Sequence, residues 1–73
     1  MIALSEGRVG ITYKVVCIKG EDRIVRRLCD LGFFEAVVKI NRISSLGGVY
    51  LIEVCGALTS VRAKILKNIM VTI

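Results

Sequence analysis

The organisation of this chain is easiest to recognise from residues 21–32, which read EDRIVRRLCDLG. Ile24, Leu28 and Leu31 recur at the spacing that places apolar side chains on one face of an α-helix. Arginines occupy the opposite side, and Gly32 is suited to end the helix because glycine takes positive φ without a steric penalty. The stretch therefore predicts one amphipathic α-helix.

The segments on both sides of this helix have the patterns of β-strands. Apolar residues alternate with other residues at 11–17 and at 36–43, which is the period of a half-buried strand. Residues 44–48 contain Gly47-Gly48 and predict a hairpin turn into a further strand at 49–55. After Gly56 we expect a short strand at 57–62, a helical turn at 63–68 and a closing strand at 69–73.

These elements predict a mainly β fold. Five short strands in a chain of 73 residues cannot cover both faces of an open sheet. Closing the sheet into a five-stranded β-barrel buries one face and removes the exposed edges. We therefore expect a small barrel with one α-helix after the first strand and a short helical turn before the last. The chain has no internal repeat or linker, so residues 1–73 are predicted to form a single domain.

Composition limits where such a protein works. The chain is 55% hydrophobic, but it has no run of the roughly 20 apolar residues that a membrane-spanning helix needs. Its first residues lack the pattern of a signal peptide, so we predict a cytosolic protein that does not insert into the membrane. Cys17, Cys29 and Cys55 are odd in number and widely spaced, and we expect them to be small buried hydrophobic residues in a reducing compartment.

The chain lacks the residues that most enzymes and metal sites use. It contains no histidine, which removes the common nucleophile–base pairs and the commonest transition-metal ligand. Its carboxylates are scattered, and neither of the usual glycine-rich phosphate loops occurs. The sequence therefore predicts no enzymatic activity, no catalytic residues, no cofactor and no metal site, although a metal site assembled from distant strands stays open.

Residues 26–33, which read RRLCDLGF, resemble the most distinctive stretch of the FeoA family, the small proteins of bacterial ferrous iron transport. The chain is also similar to the SH3-like domain that ends the DtxR-type iron-dependent repressors, although we expect a free-standing chain here. Leu46-Gly47-Gly48 and residues 52–56 fit further parts of the FeoA pattern. The chain departs from that pattern at Val9, where proline is common, at Leu66, and after the helix, where 34–36 lack the usual glycine.

The resemblance implies an SH3-like barrel that serves as an accessory or regulatory protein of iron uptake. Its expected partner is the membrane ferrous iron transporter, whose cytosolic part carries a GTPase domain. The candidate contact residues are the helix arginines and the two phenylalanines after them: Arg23, Arg26, Arg27, Phe33 and Phe34. Alternatively, the arginines only solvate the helix and the aromatic residues cap the barrel.

A different class of function, nucleic-acid binding by a basic small barrel, is compatible with the net charge of +5. Such a protein needs exposed aromatic side chains on which bases stack. Only Tyr13 and Tyr50 are available for this on the predicted strands, and basic residues are not interleaved with them. Nucleic acid is therefore the second candidate partner, behind a protein.

Overall fold

Strands make up most of the structure, as the sequence predicts. The computed structural model of the protein describes residues 1–73. In chain order the elements are β1 (Ile2–Ala3), a 3₁₀ helix (Leu4–Glu6), β2 (Thr12–Ile18), α1 (Asp22–Asp30), β3 (Val37–Ile43), β4 (Val49–Val54), β5 (Ala57–Arg62), α2 (Ala63–Leu66) and β6 (Ile69–Thr72). The mainly β class is confirmed, and all five predicted strands and the α-helix are present. Neither helix is long and apolar enough to cross a lipid bilayer.

The strands form one antiparallel sheet in the order β1-β6-β2-β3-β4-β5. It has six strands, not the five predicted, because the two-residue β1 is too short to show a periodic pattern. β1 and β5 lie at opposite edges and do not pair, so the sheet is not closed and the barrel is not confirmed. Two register shifts, in β2 after Val15 and in β3 after Ile40, mark bulges that bend the strands.

The strands and helices enclose a core of apolar side chains. The strand positions predicted to face inward, such as Val38 and Ile40, are buried there. Two tyrosines are buried with them, and each of their hydroxyl groups takes part in a hydrogen bond. The hydroxyl of Tyr13 accepts a bond from the Arg8 backbone N–H at 2.9 Å, and that of Tyr50 donates to the Ser5 carbonyl at 3.0 Å. These bonds hold the N-terminal segment against the sheet.

The end of α1 determines where the two phenylalanines lie. Gly32 has a φ of 94° and its N–H donates to the carbonyl of Cys29, while the Phe33 N–H donates to that of Leu28. This pair of bonds is a Schellman motif, in which the residue after the glycine packs back on the last turn of the helix. Phe33 is accordingly 0% exposed and Phe34 is 67% exposed.

The cysteines only partly follow the prediction that they are buried. Cys17 and Cys29 are partly buried, but Cys55 is exposed, and all three are free thiols. Cys55 and Gly56 form the two-residue turn between β4 and β5, with φ of 50° and 90°. Positive φ at both positions is the mark of a type I′ hairpin turn, which projects from the end of the sheet. The prediction of a buried side chain is wrong for Cys55 for this reason.

Candidate partner-binding groove

The structure separates the five residues that the sequence predicts as one contact surface. Arg23 and Arg27 lie one turn apart on the same side of α1, where both line a groove. Arg26 is exposed but does not line this groove. Phe33 is enclosed in the core, so its side chain is unavailable to a partner and its prediction as a contact residue is corrected. Phe34 is exposed on the other side of α1.

The groove lies between α1 and the segment formed by β5 and α2, and encloses about 600 Å³. We call it the arginine groove. Its apolar part is formed by Leu28 and Val61, which are buried, and by neighbouring aliphatic side chains. Its polar part contains exposed arginines from two elements. The lining residues are Arg23, Ile24, Arg27, Leu28, Leu31, Ser60, Val61, Arg62 and Ile65.

Local structure explains how three guanidinium groups come together here. Arg23 and Arg27 are four residues apart on α1, so they share the side that also carries Leu28. Arg62 is the last residue of β5 and precedes α2, which places it across the groove from the helix. Sequence reasoning missed Ser60 and Arg62, because no local pattern indicates that β5 lies beside α1.

The electrostatics of the groove favour an anionic partner. None of its lining residues is acidic, and the chain as a whole carries a net charge of +5. The hydrogen bonds that involve side chains are made by Tyr13, Ser44 and Tyr50, so no guanidinium group is engaged in one. Arginine presents planar donors that match a carboxylate in a two-bond geometry. The groove therefore offers cationic donors beside an apolar surface.

A second, smaller cavity of about 250 Å³ lies on the other side of α1. Val25 and Cys29 contribute to it from the helix, and Cys17 and the exposed Phe34 complete its mostly apolar wall together with neighbouring residues of β2. Phe34 therefore belongs to a different surface from Arg23 and Arg27. A partner that contacts both has to reach across the helix.

Two further kinds of site, a metal site and a surface for base stacking, can be compared with the structure. No group of three or more Cys, Asp and Glu side chains is arranged to hold a metal ion. Tyr13 and Tyr50 are 5% and 9% exposed, so neither ring is free to stack on a base. These two tyrosines therefore do not provide the stacking surface that nucleic-acid binding would need from them.

The sequence and the fold both identify the family. The family model for the FeoA domain matches residues 2–73, and the chain belongs to the FeoA family. No curated protein is a significant match to the chain.

Solved structures with this fold are similar over nearly the whole chain. The solution structure of the FeoA protein from Chlorobium tepidum is 32% identical, with a TM-score of 0.91 over 99% of this chain and 70% of that one. A FeoA-like protein from Clostridium acetobutylicum is 25% identical, with a TM-score of 0.89 over 99% and 85% of the two chains. A crystal structure described as an iron uptake regulatory protein (FeoA) is 25% identical, with a TM-score of 0.86 over 97% and 93%.

Proposed function

We propose that this protein is a small, cytosolic, non-enzymatic accessory protein of bacterial ferrous iron uptake. It acts by binding the membrane ferrous iron transporter, whose cytosolic part carries a GTPase domain. Family membership supports the connection with iron uptake, and a structural neighbour is described as an iron uptake regulatory protein. The identity of the partner follows from what resemblance to the family implies.

The main support for a role in protein binding is the composition of the arginine groove. Binding energy at protein interfaces is concentrated in a few residues, and arginine is enriched among them, especially beside desolvated apolar surface. Arg23, Arg27 and Arg62 meet this description, because they surround buried aliphatic side chains and their guanidinium groups make no hydrogen bond within the chain. We assign the transporter contact to this groove and not to the whole outer face of α1.

The test compares two double charge reversals. Arg23→Glu with Arg27→Glu should weaken binding to the purified transporter by about tenfold or more, because charged hydrogen bonds contribute about 1.5–3 kcal/mol each. Arg8→Glu with Arg42→Glu is the matched control, since both arginines are exposed and neither lines the groove. Affinity is measured by biolayer interferometry at moderate salt, with circular dichroism to verify folding. Equal loss in both variants would show that only net charge matters.

Arg26 provides a sharper comparison within the same helix. Arg26→Glu changes the same charge as Arg27→Glu, one residue away, but outside the groove. We expect Arg27→Glu to weaken binding much more than Arg26→Glu does. A larger effect at Arg26 would move the contact to the outer face of α1. Failure of the wild-type chain to bind either the transporter or its GTPase domain would refute the proposed function itself.

A further inference from the structure

The edge of the sheet at β5 is a long edge that is not paired with another strand. β5 pairs with β4 along its whole length, Ala57–Arg62, and has no strand on its other side. The opposite edge, β1, is only two residues long. Natural proteins protect long edges with charged side chains, proline or bulges. β5 contains no proline, and its only charged residue is Arg62 at its very end.

The alternation of hydrogen-bonded pairs in the β4–β5 hairpin shows which backbone groups of β5 are free. The Ala63 N–H donates to the Gly48 carbonyl at 3.0 Å, which makes 48 and 63 a hydrogen-bonded pair. Pairs alternate along an antiparallel ladder, so Val61 and Thr59 also bond to β4, whereas Leu58, Ser60 and Arg62 do not. The N–H groups of these three residues, and the carbonyls of Leu58 and Ser60, therefore point away from the sheet.

This edge adjoins the arginine groove, because Ser60, Val61 and Arg62 line it opposite α1. We propose that the groove receives an extended acidic segment of a partner protein, which pairs with the free edge of β5 as an additional strand. Main-chain bonds to β5 provide affinity in this mode of recognition, and side-chain pockets provide specificity. Carboxylates of the segment bind Arg23, Arg27 and Arg62. The identity of the partner rests on the proposed function, whereas the binding site on β5 does not.

Charge argues for this occupant over a second copy of the chain. The groove holds three arginines and no carboxylate, while the chain has a net charge of +5 and no acidic run. A second copy would bring further positive charge to the same place. A helical segment would leave the outward N–H and carbonyl groups of β5 without partners, since a helix satisfies its own backbone groups.

The direct test is an NMR titration of the wild-type chain with a short peptide of alternating glutamate and valine. A peptide of alternating lysine and valine is the control. We expect the acidic peptide alone to bind, and the amides of Leu58, Ser60 and Arg62 to gain protection from hydrogen exchange. The amides of Thr59 and Val61 are already bonded to β4 and should change little. Arg23→Glu with Arg27→Glu should weaken this binding by about tenfold or more.

Several outcomes would overturn the inference. One is the absence of binding by the acidic peptide, and another is binding without the alternating protection along β5. A third is the same alternating pattern appearing in the free chain as its concentration rises, since the occupant would then be a second copy. Equal binding of the lysine peptide would remove the role of the arginines.

A backbone variant connects this edge to the transporter. Ser60→Pro removes an outward N–H that no group within the chain accepts, and proline is tolerated at such edge positions. Ser60→Ala keeps the N–H and is the matched control. We expect Ser60→Pro alone to lose transporter binding. If both variants bind as the wild type does, the β5 inference falls and the accessory role stands. If the peptide binds as described but the wild-type chain does not bind the transporter, the accessory role falls and the edge site stands. If Ser60→Pro does not fold, the β5 inference is decided by the hydrogen-exchange protection of the wild-type amides in the peptide titration.

Discussion

Replacing Phe33 by alanine should remove a large part of the stability of this domain. Phe33 is 0% exposed and follows the Schellman motif that ends α1. A phenylalanine side chain buries about 150–250 Å². At about 25 cal/mol per Å², its burial contributes about 4–6 kcal/mol as an upper bound. Measured losses for Phe→Ala in protein cores are about 3–5 kcal/mol, which agrees with this range.

The effect is large relative to the whole domain. A chain of 73 residues has a total stability of about 4–11 kcal/mol, at about 0.05–0.15 kcal/mol per residue. Because 1 kcal/mol shifts Tm by about 4–8 °C in a domain of this size, Phe33→Ala should lower Tm by at least about 12 °C. Urea unfolding followed by circular dichroism gives the free energy of unfolding directly.

The adjacent Phe34 is a matched control for this experiment. It has the same side chain but is 67% exposed, so Phe34→Ala should change the free energy of unfolding by no more than about 0.5 kcal/mol. The reasoning is refuted if the two variants are equally destabilised. That result would mean that Phe34 and not only Phe33 is enclosed by the fold.

Three further predictions concern the backbone. Gly7→Ala should cost about 1–3 kcal/mol in urea unfolding, because its new Cβ would lie 3.0 Å from Cε2 of Tyr13, whereas Gly48→Ala, with nothing within 4 Å, should be nearly neutral. Glu35→Gly should stabilise the chain by about 0.5–1 kcal/mol, since Glu35 has a φ of 51° and only glycine adopts it without strain; a lower Tm would contradict this. Cys55→Asn should raise Tm slightly, because asparagine is favoured at the first position of a type I′ turn, and an unchanged Tm in reducing buffer would refute the assignment.

The sequence predicts those parts of the fold that local chemistry determines. The period of Ile24 and Leu28 and the glycine at 32 are sufficient to define α1 and its end. Alternation predicts which side chains of β2 and β3 face the core, as the burial of Val15 and Val38 confirms. Even the irregular loop has a local signal, since Glu35 lies in the segment where the family pattern usually has a glycine, and its φ is positive.

The candidate groove could not be predicted in the same way, because it depends on contacts between residues distant in sequence. Arg62 lies far along the chain from Arg23 and Arg27, and only the path of the sheet brings them to one groove. The strand β1 could not be predicted either, because two residues are too few to show a period and its pairing with β6 at the other end of the chain leaves no local signal. The sequence does not show which of the two consecutive phenylalanines is buried, because this depends on the hydrogen bonds that end α1.

The stretch RRLCDLGF at 26–33 contains both residues that stabilise the fold and residues that are exposed. Leu28 lies in the core and accepts a capping bond, Gly32 provides the left-handed turn, and Phe33 closes the end of the helix. Stability is a sufficient reason for these three residues. It is not a sufficient reason for Arg27, whose exposed side chain packs into no core and makes no hydrogen bond within the chain. Arg27 lies on the groove facing β5, where the proposed function assigns it a role in binding. Arg27→Glu should therefore weaken transporter binding more than Arg26→Glu does, while both exposed substitutions leave the free energy of unfolding nearly unchanged.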